Sequence, residues 1–232
     1  EDDYDIPPRQ ETKDSNGKLY TVDSAAYDTV SEQGKVYRID PKTGAVDVVG
    51  NIPACARVLP APFGNCFGVR IHDGDLYIAA TFLNPARIFR IPAASLALGF
   101  GTINDIDSIT YVSDITGVNG MTFDDHGFLY AGGSATGRVY VVPPGGGTFS
   151  VLNEGHLIPA FCHCSDLTAT ICPIDPAQPV PTGCNPQRTV ANGVAFDRKG
   201  NLFVADTARG AIWKIVVKRN LSGAPVFGGQ SL

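Results

Sequence analysis

Asn192-Gly-Val-Ala-Phe-Asp-Arg-Lys-Gly-Asn-Leu-Phe-Val-Ala-Asp206, a short polar break, then Ala211-Ile-Trp-Lys-Ile215: this stretch decides the fold, because the chain repeats it. A second copy runs Asn119-Gly-Met-Thr-Phe-Asp-Asp-His-Gly-Phe-Leu-Tyr-Ala-Gly-Gly133, with Arg138-Val-Tyr-Val-Val142 after the break. A third runs Phe67-Gly-Val-Arg-Ile-His-Asp-Gly-Asp-Leu-Tyr-Ile-Ala-Ala80, then Arg87-Ile-Phe-Arg-Ile91. A fourth, read as lacking its opening strand, runs Gly17-Lys-Leu-Tyr-Thr-Val-Asp23, then Lys35-Val-Tyr-Arg-Ile39. Self-similarity of this kind outranks local propensity as evidence for architecture.

Each copy has one physical grammar. A short strand ends in an Asp/Gly turn, whose residues accept the positive φ of tight hairpins. A continuous apolar run follows, as in Leu76 to Ala80 and Leu202 to Ala205. Such runs suit a strand buried on both faces. The next strand joins a β-branched residue to an aromatic, as in Val139-Tyr140 and Ile212-Trp213. Those types favour a packed, pleated surface. A looser fourth strand closes the unit at 45–49, 109–112, 148–152 and 225–227. The expectation is an all-β chain, a β-propeller of four-stranded antiparallel blades in one domain. Four blades are visible, at 17–53, 67–115, 118–152 and 192–230. Phe67 and Asn119 are 52 residues apart, and Asn119 and Asn192 are 73 apart. The excess lies in a Cys- and Pro-rich insertion, 154–188, whose prolines argue against regular structure. Ala93 to Leu98, in the long connection 92–108, is expected as one helical turn.

The motifs Asn119-Gly-Met-Thr-Phe-Asp and Asn192-Gly-Val-Ala-Phe-Asp, each leading to Gly-x-Leu-(Tyr/Phe), resemble the gluconolactonase, or senescence-marker-protein, family. They are also similar to the wider calcium-dependent phosphotriesterase and NHL-type propellers. The resemblance implies six blades around a divalent metal. It carries the metal-ligand role onto Asn119 and Asn192, whose carbonyl oxygens suit a hard cation such as calcium. Phe67 stands at the equivalent place in the second unit, and Asn65, two residues earlier, is the candidate substitute. The family's glutamate ligand near the N-terminus has no clear match. The rival reading of Asn-Gly is a turn into the strand. Either way, Asn119 and Asn192 each open an innermost strand, so they are expected side by side at one mouth of the axis.

Composition sets the remaining bounds. The 232 residues are 44% hydrophobic and 18% charged, which fits one globular domain with a sizeable core. The net charge of -5, without a dense basic cluster, argues against nucleic acid as the main partner. No apolar run has the roughly 20 residues needed to span a bilayer. The first residue is Glu, which is compatible with removal of a leader. Six cysteines (Cys55, Cys66, Cys162, Cys164, Cys172 and Cys184) read as a disulfide framework of a secreted protein. Cys55 is expected to pair with Cys66 across a Pro-rich loop. A zinc site in the insertion is the alternative, although the usual ligand spacing is absent. Asn220-Leu-Ser222 is a glycosylation sequon.

Catalytic signatures are sparse. Gly132 to Gly137 has the glycine spacing of a phosphate loop, but Arg138-Val139 follows where Lys and Ser/Thr are required. The sequence holds no nucleophile elbow, no His-Glu-x-x-His pair and no twelve-residue calcium loop. His72 and His126 are expected at exposed turns, and His163 in the insertion. Two function classes stay open. One is a metal-dependent hydrolase of a lactone or ester, with Asn119 and Asn192 holding the metal and Asp206 as base. The other is a secreted binding or structural propeller that meets a protein partner, or its own copies, by strand or blade completion.

Overall fold

The computed structural model describes residues 13–23, 34–56, 65–115, 117–134, 137–152, 161–164, 169–171, 184–187, 191–207 and 211–226. For 161–164, 169–171 and 184–187 the description is of backbone alone. Sheet A contains β1 (Leu19–Val22), β2 (Lys35–Ile39) and β3 (Val46–Asn51), with the short β7 (Gly101–Thr102) joined in parallel. Sheet B is β4 (Cys66–His72), β5 (Asp75–Ala80), β6 (Arg87–Ile91) and β8 (Thr110–Ser113). Sheet C is β9 (Val118–Phe123), β10 (Leu129–Gly133), β11 (Val139–Val142) and β12 (Ser150–Val151). Sheet E is β16 (Ala191–Phe196), β17 (Asn201–Asp206) and β18 (Ala211–Val216). These are the repeat units, folded as antiparallel blades of a propeller. The helical turn expected at 93–98 is α1 (Ala93–Leu98).

The apolar runs pack as their two-sided composition requires. Alternate residues of one strand point to opposite faces. Tyr20, Val22 and Val36 of sheet A meet Leu76, Ile78 and Phe89 of sheet B. On the other face of sheet B, Tyr77, Ala79 and Ile88 meet Leu129, Ala131 and Tyr140 of sheet C. Tyr130, Val139 and Val141 of sheet C then meet Val194, Val204 and Leu202 of sheet E. Ile78, Ile88, Leu129 and Leu202 are fully buried, each contributing about 1.5–3 kcal/mol of transfer free energy.

Glycines at the third position of the opening strands set the spacing between blades. A Cβ on Gly68 would stand 2.1 Å from the Asn119 carbonyl oxygen, and one on Gly120 would stand 2.4 Å from that of Asn192. Neither glycine has a positive φ, and both lie inside strands. The reading of Asn-Gly as a turn is therefore overturned: the glycine lets the next blade's backbone approach. The true turns follow the strands, at Asp73 and Gly74 (φ 50 and 84), Gly127 (φ 80) and Gly200 (φ 78). Asp124 Oδ1 accepts from His126 N and Phe128 N, and Asp197 Oδ1 accepts from Lys199 N and Asn201 N.

Three expectations need correction. The first unit has the end of an opening strand: Lys13 pairs with Leu19 as Phe123 pairs with Leu129. Asp14 closes that turn by accepting from Asn16 N and Lys18 N, the pattern of Asp124. The insertion is not irregular throughout. β13 (Phe161–Cys164), β14 (Ala169–Ile171) and β15 (Cys184–Gln187) form a sheet of order β14-β13-β15. Its one strand proline, Pro186, sits on an edge strand, where a missing N–H is tolerated. The remaining prolines of the insertion, and Cys172, lie outside the described residues. Finally, His72 is half-buried rather than exposed, stacked on Phe123 with ring centroids 3.9 Å apart and planes 2° from parallel.

Candidate functional site

The opening strands β4, β9 and β16 stand side by side and run in one sense. Each has Phe67, Asn119 or Asn192 as its second residue and ends at a hairpin turn. The bundle therefore has a start mouth and a turn mouth.

At the start mouth, Asn119 and Asn192 are neighbours through the backbone. The Asn192 carbonyl lies over Gly120, directly beside Asn119. Thr81, just past β5, donates its hydroxyl to the Val118 carbonyl, tying sheet B to the start of sheet C. The same hydroxyl lies 3.5 Å from Asn119 Oδ1, so the Asn119 amide reaches toward sheet B. In the equivalent place of sheet B, Phe67 meets the exposed Phe82 edge-on, with centroids 5.3 Å apart. Asn65 is committed elsewhere: its Nδ2 donates to the Ala54 carbonyl at 2.9 Å and the Ala56 carbonyl at 3.3 Å. It anchors the loop that the Cys55–Cys66 disulfide closes. Asp206 is buried and accepts from Trp213 Nε1 at 3.3 Å.

Arg70, in the middle of β4, is a residue that sequence reasoning passed over. Its Nε donates to the Met121 carbonyl at 2.7 Å, so its guanidinium lies against β9. Met121 is two residues, about 7 Å of strand, from Asn119. Burial lowers the Arg70 pKa. The available signal was a lone Arg in an otherwise apolar opening strand.

The turn mouth opens into a cleft of about 730 Å³. The turns after β4 and β9 form its walls, with Tyr77, Tyr111 and Phe123 at its base and Lys13 at its rim. Burial pushes the Tyr77 hydroxyl up to about 12. Burial also lowers the His72 pKa, against the opposing pull of Asp73, Asp124 and Asp75. Below the cleft, Arg219 donates to Asp124 Oδ2 at 2.8 Å and to the Gly223 carbonyl at 2.9 Å. Burial works against the Arg219 cation, but the Asp124 hydrogen bond and the electrostatic pull of Tyr130, Asp124 and Asp125 together outweigh it and raise its pKa. Asn220 is exposed in the next turn, its Oδ1 accepting from the Ser222 hydroxyl at 2.7 Å.

Among the described residues no group of three His, Cys, Asp or Glu side chains is placed to hold a metal ion. Calcium takes about six to eight oxygens. Two amides, a phenyl ring in the third position and a guanidinium on the adjoining strand do not fit that ion. No helix among the described residues is long and apolar enough to cross a membrane.

No protein-family model and no curated protein matches the sequence. Solved structures that resemble the chain include a streptogramin B lyase, at 15% identity and a TM-score of 0.41 over 92% of this chain. The chain spans 65% of that lyase. Virginiamycin B lyase from Staphylococcus aureus matches at 16% identity and a TM-score of 0.36, over 90% of this chain and 73% of its own. A Bacteroides caccae protein of unknown function matches at 13% and 0.37, over 89% and 70%. At these values nothing about activity passes from them to this chain.

Proposed function

We propose that the chain is a secreted propeller that binds a partner without hydrolysing it, using the start mouth as its contact surface. The observation that carries this reading is Arg70. Its guanidinium lies against β9 as a hydrogen-bond donor to the Met121 carbonyl. Calcium needs about six to eight oxygen ligands, and a donor group on the adjoining strand supplies none. Phe67 and Phe82, next in sequence to the Gly68 and Thr81 that meet Asn119, add an exposed aromatic pair there, the amphipathic mix that interface cores favour. The Cys55–Cys66 disulfide supports an oxidising compartment, and the exposed Asn220 turn suits glycosylation.

The second reading is the gluconolactonase-like one, a calcium-dependent hydrolase of a lactone or ester. One observation favours it: Asn119 and Asn192 are adjacent. Asp206, its candidate base, is buried against Trp213, and such a base needs to reach its substrate within hydrogen-bond range. A panel of aryl esters and lactones, assayed with calcium and with a chelator, separates the two readings. The binding reading expects no turnover above the buffer rate. Calcium-dependent turnover lost in Asp206→Asn supports the hydrolase and overturns it.

A further inference from the structure

The repeat leaves two sheet faces uncovered, and they are opposite halves of the packing seen inside the molecule. On sheet E, Val204 and Ile215 face sheet C, so Ala205 and Ile212 of the same ladder face away. Ile212 is 73% exposed and Val216 57%. On sheet A, Tyr20 and Val36 face sheet B, so Leu19, Tyr37 and Ile39 face away, beside Val46 (58%) and Val48 (54%). Among the described residues, four of the nine exposed large hydrophobic side chains lie on these two end faces, the kind of grouping that marks a contact surface.

The two faces correspond, position by position, to a pair that already meets. In the repeat, Ala205 and Ile212 stand where Ala79 and Ile88 stand in sheet B. Leu19, Tyr37 and Ile39 stand where Leu129, Tyr140 and Val142 stand in sheet C. Ala79 and Ile88 pack against Leu129, Tyr140 and Val142 inside the molecule. The spacing glycine is present too. Gly68 and Gly120 each receive the carbonyl of the following opening strand, whereas a Cβ on Gly193 would meet only the Ala205 side chain, at 3.6 Å. Gly193 is shaped for an opening strand that no described residue supplies.

We infer that a second copy of this chain covers these faces: sheet E of each copy packs on sheet A of the other, head to tail. The four repeat sheets of each of two chains, leaving aside the three-stranded sheet of the insertion, would make eight blades, within the range of about four to eight for closed propellers. Closure removes exposed sheet faces and strand edges together. The assignment rests on the binding reading above and deepens it, since the start mouth would then be shared by two chains.

Sedimentation equilibrium over a wide concentration range tests it, with Ile212→Glu and Val48→Glu as variants. Both positions are exposed, so circular dichroism should show each variant folded. The wild type should approach twice the chain mass, and each variant alone should stay at one. Mixed, the two variants should associate into pairs, more weakly than the wild type, because one of the two sheet E–sheet A contacts is intact while the other carries both substitutions. A wild type that stays at one chain mass throughout overturns the proposal. So does a mixture that fails to associate. The ester and calcium assays read the binding reading separately, so a monomeric wild type would leave that reading standing.

Discussion

The carbonyl oxygen of Asn192 lies 2.4 Å from where a Cβ on Gly120 would stand, so two blades touch backbone to backbone at that point. Gly193 Cα is the next nearest atom, at 2.8 Å. We predict that Gly120→Ala destabilises the fold by about 1–3 kcal/mol, the range for overpacking, because backbone must move. Gly193→Ala should be neutral or stabilise the single chain by about 0.4–1 kcal/mol, since its space is open. Urea denaturation of the two variants, at a concentration where the protein sediments as a single chain, checks the contrast. Equal losses would contradict the blade-spacing role.

Arg219 and Asp124 form the second test. The Asp124 side chain is 2% exposed, and its other oxygen accepts two turn amides. Arg219→Ala leaves that carboxylate buried without its cation. We expect a loss of about 3 kcal/mol, the lower end for a broken buried pair, because the two amides remain. Denaturant midpoints measure it. A change under about 0.5 kcal/mol, ordinary for a surface site, would show that the pair is not part of the core.

The pH dependence follows from His72. Burial holds its pKa below the ordinary 6.5. The unfolded chain therefore takes up the proton first as pH falls, so stability is intact above about pH 6.5 and declines below it. His72→Phe keeps a ring on Phe123 and removes the titration. The thermal midpoint of the wild type should fall between pH 6.5 and 5 more steeply than that of the variant. Parallel curves would contradict the assignment.

The insertion yields a disulfide prediction from backbone register alone. Cys164 lies directly opposite Cys184 across the β13–β15 pair, while Cys162 lies opposite Pro186. Directly opposed residues bring their Cβ atoms to about 4.5–5.5 Å, and a bridge needs only a modest further approach. We predict a Cys164–Cys184 bridge. Peptide mapping under non-reducing conditions reads the connectivity. A Cys162–Cys184 peptide, or a zinc ion in stoichiometric amount, would contradict it.

The sheets were legible because each strand keeps its residue types in all units, as Ile88-Phe89 and Val139-Tyr140 show. The opening strand of the first unit was legible too, in Asp14-x-x-Gly17-x-Leu19, which repeats Asp124-x-x-Gly127-x-Leu129. It is obscured because Lys13 stands where the two Asn-Gly units have Phe123 and Phe196 and the second unit has Ile71. The role of Gly120 was not legible, since Asn-Gly has the same letters in a turn as in a strand packed against a neighbour. The candidate site was half legible. Adjacent Asn119 and Asn192 follow from the repeat. Arg70 reaching β9, Asn65 holding the disulfide loop and Asp206 under Trp213 depend on long-range packing that no local pattern encodes.

Calorimetric titration of the folded protein with calcium tests the central claim most directly, run beside the Asn119→Ala, Asn192→Ala double variant. The account predicts the same featureless heats for both proteins, because two amides, a phenyl ring and the Arg70 donor on β9 do not supply the oxygens calcium takes. Saturable binding of one calcium per chain by the wild type, lost in the double variant, would contradict it.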